Sequence, residues 1–192
     1  MEKKYKLTEE SISFNGKTLY RIEAIMDFGL IKKGDKGGFI ETERNLSQIG
    51  DAWVRDNAKV FGNARVYGDA RITDEARVSD NAIVCGSAWL YDKSMVYCNA
   101  VVSGNARVYG DANVYGDAFV RGNASIYGHS KVCGNAMVYG NADVSGNVCV
   151  TENAKVYGDA IVYGDVNVCG YAHIDDNVMG KFSDTSKHWI IR

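Results

Sequence analysis

The chain has no proline, and no stretch of it approaches the roughly 20 consecutive apolar residues a membrane-crossing helix needs. It has no basic excess either: 22 Lys and Arg face 24 Asp and Glu, a net charge of -2, with no run of like charge. No overall field therefore favours long nucleic acid, and neither that partner nor a membrane is expected. The five cysteines, Cys85, Cys98, Cys133, Cys149 and Cys169, contain no CxxC pair, so no zinc or other metal site is expected. An odd, unpaired set points to a reducing cytoplasm. Histidine is scarce, with only His129, His173 and His188, and their spacing suggests no triad. The opening residues MEKKYKLTEE lack the apolar core of a secretory signal.

What the chain has instead is a six-residue word. From Val54 the aliphatic positions fall at every sixth residue through Ile174, giving 21 hexads over 54–179 with no insertion or deletion. The third position is Gly in 14 hexads and the fourth is Asn or Asp in 16. The fifth is Ala in 16, Ser94 or Ser130 in two, and Val148, Val166 or Val178 in three. In Ala-x-Val, two apolar residues two apart share one face of a short strand. The Gly-Asx pair that follows is turn chemistry, tolerant of positive φ, and at this frequency it excludes a helix. So short a strand buries nothing alone, so a fixed hexad period means strands stacked in a parallel β-helix. The missing prolines fit, because every strand inside a stack needs its N–H for the neighbouring coil. Asn63, Asn81 and Asn99 recur at 18-residue steps, as do Asn135 and Asn153, and Asn105, Asn123 and Asn141, and asparagines stacked at strand spacing form side-chain amide ladders.

With Val at the inward aliphatic site and Ala at the inward small site, the pattern resembles the left-handed β-helix of hexapeptide-repeat proteins. That resemblance implies an all-β, three-sided solenoid with three hexads per coil, about seven coils, and a left hand. The lead-in YKLTEESISFNGKTLYRI, KGDKGGFIE and NLSQIGDAWV resembles hexapeptide-repeat proteins encoded by phages and prophages, which implies the cytoplasm of a bacterial host. Residues 1–47 do not repeat and read as a small N-terminal β cap, with a hairpin at Asn15-Gly16. Residues 48–179 form the solenoid. Residues 180–192 form a tail whose Trp189, Ile190 and Ile191 need cover.

Three hexads per coil assign the outward residues to three faces. The first carries an apolar column of Ile83, Val101, Phe119 and Met137, expected to be the interface of a homodimer or homotrimer. The second carries Tyr91, Tyr109 and Tyr127 on consecutive coils beside Trp89 and Arg107. These five are candidate binding residues for a small anionic or nucleotide-like ligand, although a tyrosine ladder that merely covers strand surface fits the same spacing. In KKGDKGG, Lys32, Lys33 and Lys36 among three glycines are candidates for a phosphate-binding loop, or for an ordinary surface turn.

The best-known enzymes resembling this fold are acyltransferases that use a histidine base and a loop extruded from the coils. Here no loop interrupts the hexads, and His129, at a corner in YGHSKV, is the one weak candidate base. The expected function is a non-catalytic oligomeric binding protein with no cofactor. The alternatives are an acyltransferase of the hexapeptide-repeat type, dependent on coenzyme A, and a structural module of a virion or surface.

Overall fold

The computed structural model describes residues 3–182, the last two by backbone alone; His188, Trp189, Ile190 and Ile191 lie outside the described residues. Strand β1 (Tyr5–Phe14) pairs antiparallel with β2 (Lys17–Ala24) across a turn in which Asn15 and Gly16 both have positive φ. β2 pairs antiparallel with β3 (Lys36–Ile40). β3 then pairs in parallel with Lys59–Val60, which joins the hairpin to a parallel β-solenoid of about eight turns. Among the described residues the one helical element is the 3-10 turn Glu43–Asn45, and no helix is long and apolar enough to cross a membrane.

The hexad is the structural unit. Each strand is two residues long over most of the stack and pairs with the strand 18 residues on, as in Leu90 with Val108 and Val108 with Ile126. The chain therefore crosses three faces per turn. All 21 aliphatic positions from Val54 to Ile174 point inward and are at most 2% exposed. The third hexad position adopts positive φ at every turn from Asp56 to Gly170, whether it is Gly or one of Asp56, Asp74, Asp80, Asp92, Cys98 and Glu152. The corner asparagines form the expected ladders. The Nδ2 of Asn63, Asn81 and Asn99 donates in sequence at 3.1, 3.0 and 2.9 Å, ending on Asp117. That of Asn105, Asn123 and Asn141 donates at 3.0, 2.9 and 2.7 Å, ending on Asp159. A carboxylate suits the end of such a chain because it accepts and has nothing left to donate.

The two ends depart from the sequence pattern. The extra turn comes from residues before the repeat: β3 lies on the third face, and Leu46 bridges Val66 on the first. At the other end Val162 pairs with Val178, 16 residues on, so the last hexad is two residues short. The 21st hexad is therefore truncated, and Val178 takes the strand position rather than the small position expected of it. Asp176, its third-position residue, is absent from the positive-φ corners, and the chain cuts this corner instead of turning through it.

In a stack whose N–H groups point down to the next turn, the carbonyls of the first turn have no strand above them. The cap supplies the donors. Lys4 is 3% exposed, and its Nζ donates to the carbonyls of Gly50 (2.8 Å) and Ala52 (2.9 Å). Asn45 Nδ2 donates to those of Gly62 (3.0 Å) and Ala64 (2.9 Å), and the Tyr5 hydroxyl to that of Leu46 (2.7 Å). Burial pushes the Lys4 ammonium down to about 8, against the opposing pull of Asp51 and Asp69. A buried cation is tolerated here because it pairs with otherwise orphaned acceptors.

Candidate functional site

The second face is built from the strands that begin at Trp53, Arg71, Trp89, Arg107, Ser125, Asp143 and Ile161, each in register with the next. Two outward columns result, because the residues on either side of an inward aliphatic both point out. One runs Trp53, Arg71, Trp89, Arg107. The other holds Tyr91, Tyr109 and Tyr127, whose rings stack at 4.6 and 4.7 Å with interplanar angles of 7° and 4°. Strand spacing sets that distance, so each ring covers the face of its neighbour and the ladder offers mainly ring edges to solvent. Trp89 leans on its upper end, 4.8 Å from Tyr91 and tilted by 45°.

The charge of this face is divided, with arginines on its upper strands and Asp143 below. Arg71 and Arg107 flank Trp89 on adjacent strands, and among the described residues neither makes an ion pair. Burial, with the neighbouring Tyr91 and Tyr127, pushes the Tyr109 hydroxyl up to about 12. Burial also raises Tyr91, opposed by Arg107. Both phenols therefore remain neutral at physiological pH. Below them, burial raises the Asp143 carboxyl while a bond from the Tyr127 hydroxyl holds it down, and among the described residues its buried Oδ1 has no partner. A shallow trough lined by Ser87, Trp89, Asn105, Arg107, Asn123 and Ser125 runs along the edge of this face.

The structure thus brings together Trp89, Tyr91, Arg107, Tyr109 and Tyr127, and leaves the three lysines outside the group. Lys36 lies in β3 and reaches Glu10 at 3.1 Å, where Arg21 also binds at 2.6 Å. The backbone N–H groups of Lys32 and Lys33 are taken by Asp35 (2.8 Å) and Asp27 (2.9 Å), and Lys32 Nζ pairs with Asp27 at 3.0 Å. The carboxylates of the turn itself occupy the positions an anion would need. Gly37 and Gly38 serve close packing, since a Cβ at either would lie 2.5–2.6 Å from Ile22 or from the carbonyls of Val54 and Ala58.

His129 sits on a corner with its side chain 71% exposed, Nδ1 3.6 Å from Asp111. On the first face, Ile83, Val101, Phe119 and Met137 occupy four consecutive strands in register, and Phe119 is 44% exposed. Sequence reasoning put Arg71 and Thr73 on the second face but named neither them nor Arg55 as binding residues; all three line a groove together with the turn at Gly29–Ile31. The alternation Trp53, Arg71, Trp89, Arg107 at 18-residue steps was the signal that could have singled out Arg71.

A comparison with curated proteins finds no match. Three stretches of the chain, residues 76–92, 100–116 and 131–146, match the YdcK beta solenoid repeat family, all within the regular middle of the stack, and to that extent the chain is similar to that family.

Proposed function

We propose that the protein is a non-catalytic, oligomeric binding protein for a small anionic or nucleotide-like ligand, with the second face as its binding surface. The observation that carries this reading is Trp89, exposed and flanked in register by two arginines that have no acidic partner among the described residues. A guanidinium left unpaired beside an exposed indole suits an anion attached to an aromatic ring. The corner placement of His129, with water on most sides, supports binding rather than proton transfer, which needs a base and acceptor held together away from solvent. The left hand of the coil, the hexapeptide-repeat kinship, a phage origin and a place in the host cytoplasm belong to the same reading.

A thermal-shift screen with nucleotides and coenzyme A tests it. A ligand present at about 100 times its Kd stabilises by about 2.7 kcal/mol, a rise of roughly 5–10 °C for a chain of this size. Arg107→Ala is expected to weaken that ligand at least threefold, at an unchanged ligand-free midpoint. A panel in which nothing shifts the midpoint would sink the reading.

The first face supplies the self-association. An apolar column four strands long is the kind of patch that closed symmetric assembly covers. Light scattering is expected to give a dimer or trimer of the 21.0 kDa chain. Phe119→Arg, which places a charge at the most exposed residue of the column, is expected to give the monomer. A monomeric wild type, or an oligomer indifferent to the arginine, removes this part of the proposal.

A further inference from the structure

The cap does more than close the first turn. Its loop leans on the head of the second face and makes a groove there. Phe28 and Ile31 exchange backbone hydrogen bonds of 3.0 and 2.8 Å, which folds Gly29 and Leu30 into a tight turn. Gly29 has φ +49, and a Cβ there would lie 2.8 Å from Asp51 Oδ2, so the turn is seated closely on the stack. Between turn and face lies a groove of about 530 Å³, lined by this turn, Asp51, Trp53, Arg55, Arg71, Thr73 and Trp89. That is within the usual size range of small-molecule sites.

The parts of the groove have distinct roles. Trp53 is 2% exposed, its ring met edge-on by Tyr5 (6.1 Å) and Phe28 (5.3 Å), so it forms a fixed floor. Trp89, two strands below, is 39% exposed and forms the far wall. Leu30, also in the lining, is 76% exposed, an apolar side chain left uncovered among the described residues. Arg55 and Arg71 both line the groove, and neither has an ion-pair partner among the described residues. Asp51 is the single carboxylate of the lining, and its charge also acts on the buried Lys4 ammonium. The lining is therefore net positive, aromatic on two sides, and carries one exposed leucine.

We infer that this groove binds a planar aryl phosphate, with Arg55 and Arg71 on the phosphate and the ring held between Trp89 and Leu30. This rests on the reading of the second face as a binding surface and deepens it. The ligand lies at the head of the face, above Trp89, and not along the tyrosine ladder, whose ring faces are already taken by one another. Arg107, on the far side of Trp89, adds a second, more distant positive charge.

The probe is 1-naphthyl phosphate, followed by calorimetry and by quenching of indole fluorescence in the full chain. Arg71→Gln is expected to weaken it at least tenfold, and more than Arg107→Gln does. Leu30→Ser is expected to weaken it about threefold to tenfold. 1-Naphthol and inorganic phosphate, each lacking half the ligand, are expected to bind at least tenfold more weakly. Arg71 and Leu30 are both exposed, so an unchanged thermal midpoint shows that the variants fold. Binding unaltered in Arg71→Gln, or 1-naphthol binding as well as its phosphate, overturns the groove. So does a larger loss in Arg107→Gln than in Arg71→Gln, which leaves the wider binding reading standing. No binding of the probe also overturns the groove, and the nucleotide and coenzyme A screen then decides the wider reading separately.

Discussion

Val114→Asp is expected to unfold the middle of the stack at pH 7. Val114 is fully buried, in register with Val96 above and Val132 below, so its side chain has three layers of hydrocarbon and no water around it. The substitution loses about 1.5–3 kcal/mol of apolar burial and leaves a carboxylate with no donor. The group escapes by staying protonated, which at pH 7 costs about 4 kcal/mol, set by the roughly three units between that pH and the ordinary aspartate pKa, once burial has raised its own pKa to about 7 or above. Together these approach the whole stability of a typical domain, about 5–15 kcal/mol. Because the folded state would hold the proton above the pH at which the unfolded chain releases it, stability falls as pH rises past about 4. The variant should therefore be markedly better folded at pH 4 than at pH 7. Val114→Ala, which opens a small cavity without a charge, is expected to cost only about 2 kcal/mol, at either pH. Thermal melts at the two pH values check this. An aspartate variant as stable as wild type at pH 7 would show that position 114 faces water and the register is wrong.

A solenoid is held together by nearest-neighbour contacts, so the lesion should be local first. Hydrogen exchange in Val114→Asp is expected to be fastest from Val96 to Val132 and slower at both ends. The cap end should persist longest, because Lys4, Tyr5 and Asn45 tie it across the open turn.

Most of the stack was legible in the sequence. A period of six fixes which side chains face inward, and with the three strands per turn that the hexapeptide-repeat resemblance implies it also fixes which share a column and which asparagines stack. The apolar column of the first face and the aromatic–arginine grouping of the second follow by arithmetic. What escaped were the places where a tertiary contact replaces the period. Gly37 and Gly38 read as loop glycines, yet they lie in β3 because the hairpin and the first turn approach too closely for a Cβ. Lys4 carries no sequence mark of a buried group; only the orphaned carbonyls of Gly50 and Ala52 explain it. The groove at the head of the second face joins residues 29–31 to Arg71 and Trp89, and no spacing rule connects a turn in the cap to a strand two turns down. The shortened last hexad shows a limit of the opposite kind, since Asp176 and Asn177 fit the pattern by type while the backbone no longer follows it.

The corners should discriminate between side chains as sharply as the core does. Gly122→Val is expected to destabilise the fold by about 3–5 kcal/mol. Gly122 has φ +74, and a Cβ there would lie 2.8 Å from the carbonyl oxygen of Gly140 in the next turn. A β-branched residue in the left-handed region strains the backbone by about 1–3 kcal/mol, and relieving the overlap adds a similar amount. The neighbouring Asn123 both accepts from Asn105 and donates to Asn141, so a shifted corner also opens two rungs of its ladder. Gly110→Asp, at another corner, is expected to stay within about 1 kcal/mol of wild type. There Asp56, Asp74 and Asp92 already adopt positive φ, and each accepts from the backbone N–H of the next turn, at 3.3, 3.2 and 3.0 Å. An aspartate at 110 would add a rung by the same geometry, with the N–H of Gly128 as donor, which offsets the cost of its φ. Denaturant melts of the two variants side by side decide between a corner that tolerates any residue and one that selects by hydrogen bonding. Equal losses in both would mean that space alone, and not the carboxylate rung, determines what a corner accepts.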